Sequence, residues 1–269
     1  MKICPVNQSI KFSYNVAKGS MKTRYDKIRS VSDKVFDGIV EKIHDDKIDI
    51  NDIATVTENA LPENKMIKIT KLENGDEFGG GCSYMTKNGE YVGQTIEVPT
   101  KDGKIDVEAL PVYMHELTHA LDTLYNPKYT ARTQMMKKRH MYDRRYSQCF
   151  DDSLYREEEY KNAMDKSVLL NRRKYEIRQW LAGRSTSEKI AGIQEAKSMM
   201  ETEIKAYGSE EIYAKKMQAK GLKVPVDEYE NNDERFLFKE KLQILNDMGK
   251  DIIHRERYKH ARELAAKQA

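Results

Sequence analysis

The run His115-Glu116-Leu117-Thr118-His119 has residue types and a spacing that point to a specific chemistry. Residues i and i+4 share one helix face, so two imidazoles one turn apart can grip a single cation. Glu116 then stands beside that cation, placed to take a proton from a water that the cation has made acidic. Zn²⁺ is the expected ion, bound by imidazole nitrogen at ~2.0–2.1 Å and lowering the pKa of its water toward ~7. The hydroxide so formed attacks a carbonyl carbon, and Glu116 passes the proton on to the leaving amine, acting first as base and then as acid.

Such a motif needs a helix and something to hold it. Asp106 reads as the cap of a helix that begins near Val107, or slightly later with Pro111 in its first turn, and Asn126-Pro127 stops it after Tyr125. The apolar flanks Val112-Tyr113-Met114 and Ala120-Leu121 place this helix beneath a sheet. Upstream, residues 66–70 alternate as a strand does, Asn74-Gly75 marks a turn, and Gly79-Gly80-Gly81 permits a bulge or a close backbone approach. Asn88-Gly89 folds residues 82–86 back along 91–98 as a hairpin, and Lys101-Asp102-Gly103-Lys104 closes a small antiparallel sheet.

Before this sheet, Ile28, Val31, Val35, Ile39 and Ile43 recur at helical spacing within residues 20–46. Residues 47–62 hold at most a short helix. Pro5 and Gly19 mark residues 1–20 as an extended arm. Everything after Pro127 is helical in flavour, punctuated near Asp151-Asp152, Gly183, Gly208, Gly221 and Pro225. The expected class is α+β. Residues 21–182 form the core around the motif helix, and 183–269 form a helical region packed on it.

The order strand, hairpin, motif helix resembles the zincin metallopeptidases. That resemblance implies a zinc-dependent endopeptidase with His115 and His119 as metal ligands, Glu116 as general base and an edge strand that aligns a peptide or protein substrate. The edge strand would be 91–98 or its partner 82–86. Metzincins carry a Gly and then a His or Asp where this chain has Asp122 and Tyr125, so the resemblance runs to the gluzincins, which take a Glu from a later helix. Glu176, in Tyr175-Glu176-Ile177-Arg178, is the preferred third ligand. Its surroundings resemble a Glu-aliphatic-Arg run in small bacterial and phage HExxH proteins, and Leu169, Leu170, Ile177, Trp180 and Leu181 can bury one face of its helix. The run Glu157, Glu158, Glu159 is the alternative. Asp122, on the histidine face, is a candidate acceptor for a ligand imidazole's other N–H, against a plain surface acid. Tyr129, His140, Tyr142, Tyr146 and Arg178 are donors available to a developing oxyanion, with nothing to rank them.

Composition narrows the class. With 47 Lys+Arg against 44 Asp+Glu the net charge is +3, and 34% of residues are charged. No apolar run reaches the ~18–20 residues needed to span a bilayer. Three scattered cysteines make no disulfide framework. The first residues lack a signal-peptide apolar run, so the expected place is the cytoplasm, with non-classical export of an effector left open. Arg132, Lys137, Lys138, Arg139, Arg144 and Arg145 form a basic strip, but near-neutral overall charge argues against nucleic acid and for a solvated face. The rival to a peptidase is a helical interaction module, an inactive zincin relative that binds a protein or other anionic partner.

Overall fold

The computed structural model describes residues 9–62, 66–73, 80–87, 90–125 and 166–268. The class is α+β with helix dominant. The chain divides into two compact units, one of residues 1–127 with 206–231, the other of 128–205 with 232–269.

In the first unit, helix α1 (Ser9–Val40) buries Ile28, Val31, Val35, Phe36 and Ile39. The arm expected over residues 1–20 is therefore helical from Ser9 onward; an isolated Gly19 costs a helix only ~1 kcal/mol and does not end it. Strand β1 (Lys47–Asp49) leads into α2 (Ile50–Ala60), whose N-cap Asp49 accepts from the Asn51 amide at 2.8 Å. After β2 (Ile67–Glu73), β3 (Gly81–Lys87) and β4 (Glu90–Thr100) comes β5 (Lys104–Asp106), which pairs antiparallel with β1 so that Ile48 meets Ile105, both buried.

The remaining three strands form a sheet in the order β2-β4-β3. β3 and β4 are the expected hairpin, with Lys87 opposite Glu90. β2, however, lies parallel to β4, with Ile67 beside Gln94 and Val98 beside Lys71. The sheet is thus mixed rather than antiparallel. Alternation in 66–70 reveals a strand but not its direction, and β3 intervenes in the chain between the two parallel strands, which a two-residue turn could not join. β4 is central, and β3 is an edge that pairs with no second strand among the described residues.

A 3₁₀ turn (Val107–Ala109) precedes α3 (Leu110–Tyr125), the motif helix. Leu110, Tyr113, Met114, Leu117, Ala120, Leu121 and Leu124 are buried in one core with Ile96 and Val98 of β4. A buried polar pair fixes α3 beside α2. Thr57 donates its hydroxyl to the Ile53 carbonyl at 2.7 Å, so Tyr113 must be the donor in its 2.6 Å contact with Thr57 Oγ1. Burial pushes the Tyr113 phenol well up, only partly offset by Thr57, and keeps it a neutral donor.

Helix α5 (Thr186–Ala219) runs unbroken through Gly208, where the sequence suggested a break, and its last turns belong to the first unit. There Tyr213 and Met217 join the core and Ser209 Oγ donates to the Met114 carbonyl at 3.3 Å. Short α6 (Val226–Glu230) follows, with Tyr229 donating to the Glu108 carbonyl at 2.7 Å. The second unit contains α4 (Lys166–Leu181), the first part of α5 and α7 (Asp233–Gln268). Its buried side chains include Ile177, Trp180, Leu181, Ile193 and Leu245, and Gly192 makes room for the Trp180 ring. His254 and His260 on α7 are exposed, as expected. Among the described residues no helix is long and apolar enough to cross a membrane.

Gly93 tests the sheet. A Cβ there would stand 2.6 Å from the Met66 carbonyl oxygen and 2.9 Å from Met85 Cε. Because the nearer atom is backbone, Gly93→Ala should lower unfolding free energy by about 1–3 kcal/mol in denaturant titration. Unchanged stability would contradict the parallel β2–β4 register.

Candidate metal centre

α3 carries the motif as one helix, and burial of its apolar face sets the direction of both imidazoles. His115 is buried at 7% exposure, while His119 and Glu116 are partly buried. The Nε2 atoms of His115 and His119 lie 3.0 Å apart, with ring centroids at 4.8 Å. Two nitrogens bound to one tetrahedral zinc stand about 3.3 Å apart, so a few tenths of an ångström of ring movement makes room for an ion.

The other face of His115 is fixed from α5. His115 Nδ1 is 2.7 Å from Glu210 Oε1, and both groups are buried. A carboxylate there favours a proton on Nδ1, which leaves Nε2 with its lone pair toward His119. Tyr207, one turn before, sets its ring edge-on to His115 with centroids at 4.6 Å. One turn earlier again is Glu203. The ligand atoms of His115, His119 and Glu203 all lie within 4.8 Å of one another, a group able to hold a metal ion. Two imidazoles and one carboxylate are the donor set of a catalytic zinc site, with a fourth position left for water. Glu203, Tyr207 and Glu210 fall at i, i+4 and i+7, one stripe of α5.

Five further acids were singled out in the sequence. Glu176 lies on α4, where its two carboxylate oxygens face Arg172 Nε at 3.2 Å and an Arg173 terminal nitrogen at 3.1 Å. Among the described residues, the group able to hold a metal ion includes Glu203 and not Glu176. A carboxylate met by two guanidinium groups is already compensated, and the apolar helix face around Glu176 holds it for that pairing. Asp122 is buried at 4% exposure, so it is not a plain surface acid, and the carboxylate found at His115 Nδ1 belongs to Glu210. Glu157, Glu158 and Glu159, the basic strip, and Tyr129, His140, Tyr142 and Tyr146 lie outside the described residues. Arg178 is exposed on α4.

The glycine run meets the motif as a close backbone approach. Gly80 sits at φ 105°, a left-handed region that favours glycine, and a Cβ there would begin 3.6 Å from both Glu116 Cγ and Val112 Cγ1. Cys82 contributes no ligand; its thiol donates to Gln94 Oε1 at 3.2 Å.

The turns of α5 beyond the stripe are anchored to α1. Asp33 Oδ1 accepts from the Tyr213 hydroxyl at 2.8 Å and from Lys216 Nζ, which also lies over the Tyr213 and Phe36 rings. Burial alone would raise the Asp33 carboxyl, but hydrogen bonds from Lys216 and Tyr213, with the charges of Lys216 and Arg29, hold it below its usual range. Beside Glu210, the Tyr229 phenol is pushed up, first by burial and then by the charges of Glu210, Glu228 and Glu108.

No protein-family model matches the chain, and no curated protein or solved structure matches it.

Two outcomes follow from this geometry. Glu210→Gln keeps the shape but removes the charge at Nδ1, and should weaken zinc binding about 10–100-fold in competition titration without loss of helicity. Equal zinc affinity would show that Glu210 does not orient His115. Asp33 has a folded-state pKa below its unfolded value of ~3.9, so its contribution is fully present above that value and fades as pH falls through the lower folded one. The stability gap between the native chain and Asp33→Asn, measured by denaturant unfolding, should be flat above about pH 5 and narrow below about pH 4. A gap independent of pH would contradict the assignment.

Proposed function

We propose that the chain is a zinc-dependent endopeptidase in which His115, His119 and Glu203 hold the metal and Glu116 is the general base. The observation that carries this reading is that ligand atoms of His115, His119 and Glu203 lie within 4.8 Å of one another, the two histidines on the helix that also carries Glu116. When bound, zinc supplies a Lewis acid that lowers the pKa of a coordinated water and polarises a carbonyl. Glu116 takes the proton from the attacking water and delivers it to the leaving amine. Glu210, 2.7 Å from His115 Nδ1, favours the tautomer whose Nε2 lone pair faces His119. The resemblance to zincins supplies the substrate class, a peptide or protein.

The same 3.0 Å contact also suits an imidazole–imidazole hydrogen bond, which favours the second reading, a metal-free interaction module. Metal content separates the two. The peptidase reading expects about one zinc per chain by elemental analysis, lost in His115→Ala and in Glu203→Ala and retained in Glu176→Ala. Glu116→Gln should keep zinc yet slow cleavage of a peptide library about 10²–10⁴-fold. Zinc retained with undiminished cleavage in that variant would exclude Glu116 as base. Chelation should lower the melting temperature, since an ion bound only to the folded state stabilises it. An unchanged melting temperature after verified zinc removal would count against the site.

A further inference from the structure

We infer that the site selects peptides with a lysine or arginine side chain next to the scissile bond, read by Glu97 across the glycine gap at Gly81; the inference rests on the peptidase reading above.

Side chains on β4 alternate. Ile96 and Val98 point into the core, and Glu97 between them is exposed on the opposite face. The residue paired with Glu97 on β3 is Gly81. Among the described residues, the atom a Cβ on Gly81 would meet is Glu97 Oε2, at 3.9 Å, so the carboxylate leans over the place where a side chain would stand. Among the described residues Glu97 forms no ion pair, and β3 has no second partner strand.

An extended peptide pairing with the outer edge of β3 would run ~4.8 Å beyond it. Its side chain opposite Gly81, on the outer face, comes alongside the Glu97 carboxylate. Lysine and arginine have the reach and the charge to meet it. The position is close to the chemistry because a Cβ on Gly80, the residue before β3, would begin 3.6 Å from Glu116 Cγ. A glutamate or aspartate at the same substrate position would be repelled, so the arrangement both attracts and rejects.

A randomised library of end-blocked decapeptides tests this in two arms, selection on zinc-loaded Glu116→Gln and cleavage by the zinc-loaded native chain. Selected peptides should be enriched about fivefold in Lys and Arg at one position, beside the bond the native chain cuts. Enrichment should vanish in Glu97→Gln, turn toward Asp and Glu in Glu97→Lys, and shrink as salt rises. Gly81→Val, which a strand accepts, should abolish it by filling the gap. No selected peptides, no basic enrichment, or enrichment that survives Glu97→Gln would overturn the inference. Cleavage without basic preference overturns this inference and leaves the peptidase reading standing. Glu97-dependent basic binding without cleavage overturns the peptidase reading and, with it, this inference, since no scissile bond is then positioned.

Discussion

Two imidazole nitrogens 3.0 Å apart in a partly buried setting demand something between them, either a shared proton or a cation. Everything around α3 serves that constraint. The buried face from Leu110 to Leu124 fixes the helix under β4, the Tyr113–Thr57 pair fixes it beside α2, and the Glu210 carboxylate stands 2.7 Å from His115 Nδ1. A pair of histidines at i and i+4 can point anywhere on a surface helix. Here packing removes that freedom before any ligand arrives, which is the preorganisation a metal site needs.

The partner in this arrangement is α5. One helix carries the third carboxylate, the Tyr207 ring and the Glu210 acceptor on a single stripe, then continues to the Asp33–Tyr213–Lys216 cluster that ties it to α1. Because the rise of a helix is fixed, anchoring Tyr213 and Lys216 also sets where Glu210 stands. Asp33, far from the histidines in sequence, thereby contributes to the position of a carboxylate at the candidate metal centre.

The parts of this arrangement legible in the sequence are the local ones. Motif helix, hairpin and α1 stripe each follow from a period or a turn signal within a short window; the structure returns the first two with small shifts at their ends, while α1 begins at Ser9 and stops at Val40. The direction of β2 was not legible, because alternation is the same for parallel and antiparallel neighbours. Nor was Glu203. Its signal existed, since Glu203, Tyr207 and Glu210 share a face with Met200 and Ala214, but Gly208 reads as punctuation and cuts that stripe in two. Buried packing along α5 outweighs the cost of one glycine. Glu176 drew attention through an apolar helix face that does exist, and Arg172 and Arg173 on that same helix meet its charge.

The most direct measurement of the central claim is anomalous diffraction at the zinc edge from crystals grown with Zn²⁺. The account predicts one strong peak between the Nε2 atoms of His115 and His119, with a Glu203 oxygen completing three protein ligands at about 2.0–2.2 Å. Absence of a peak there, with the rings joined by a hydrogen bond, or a peak ligated by other side chains, would contradict it.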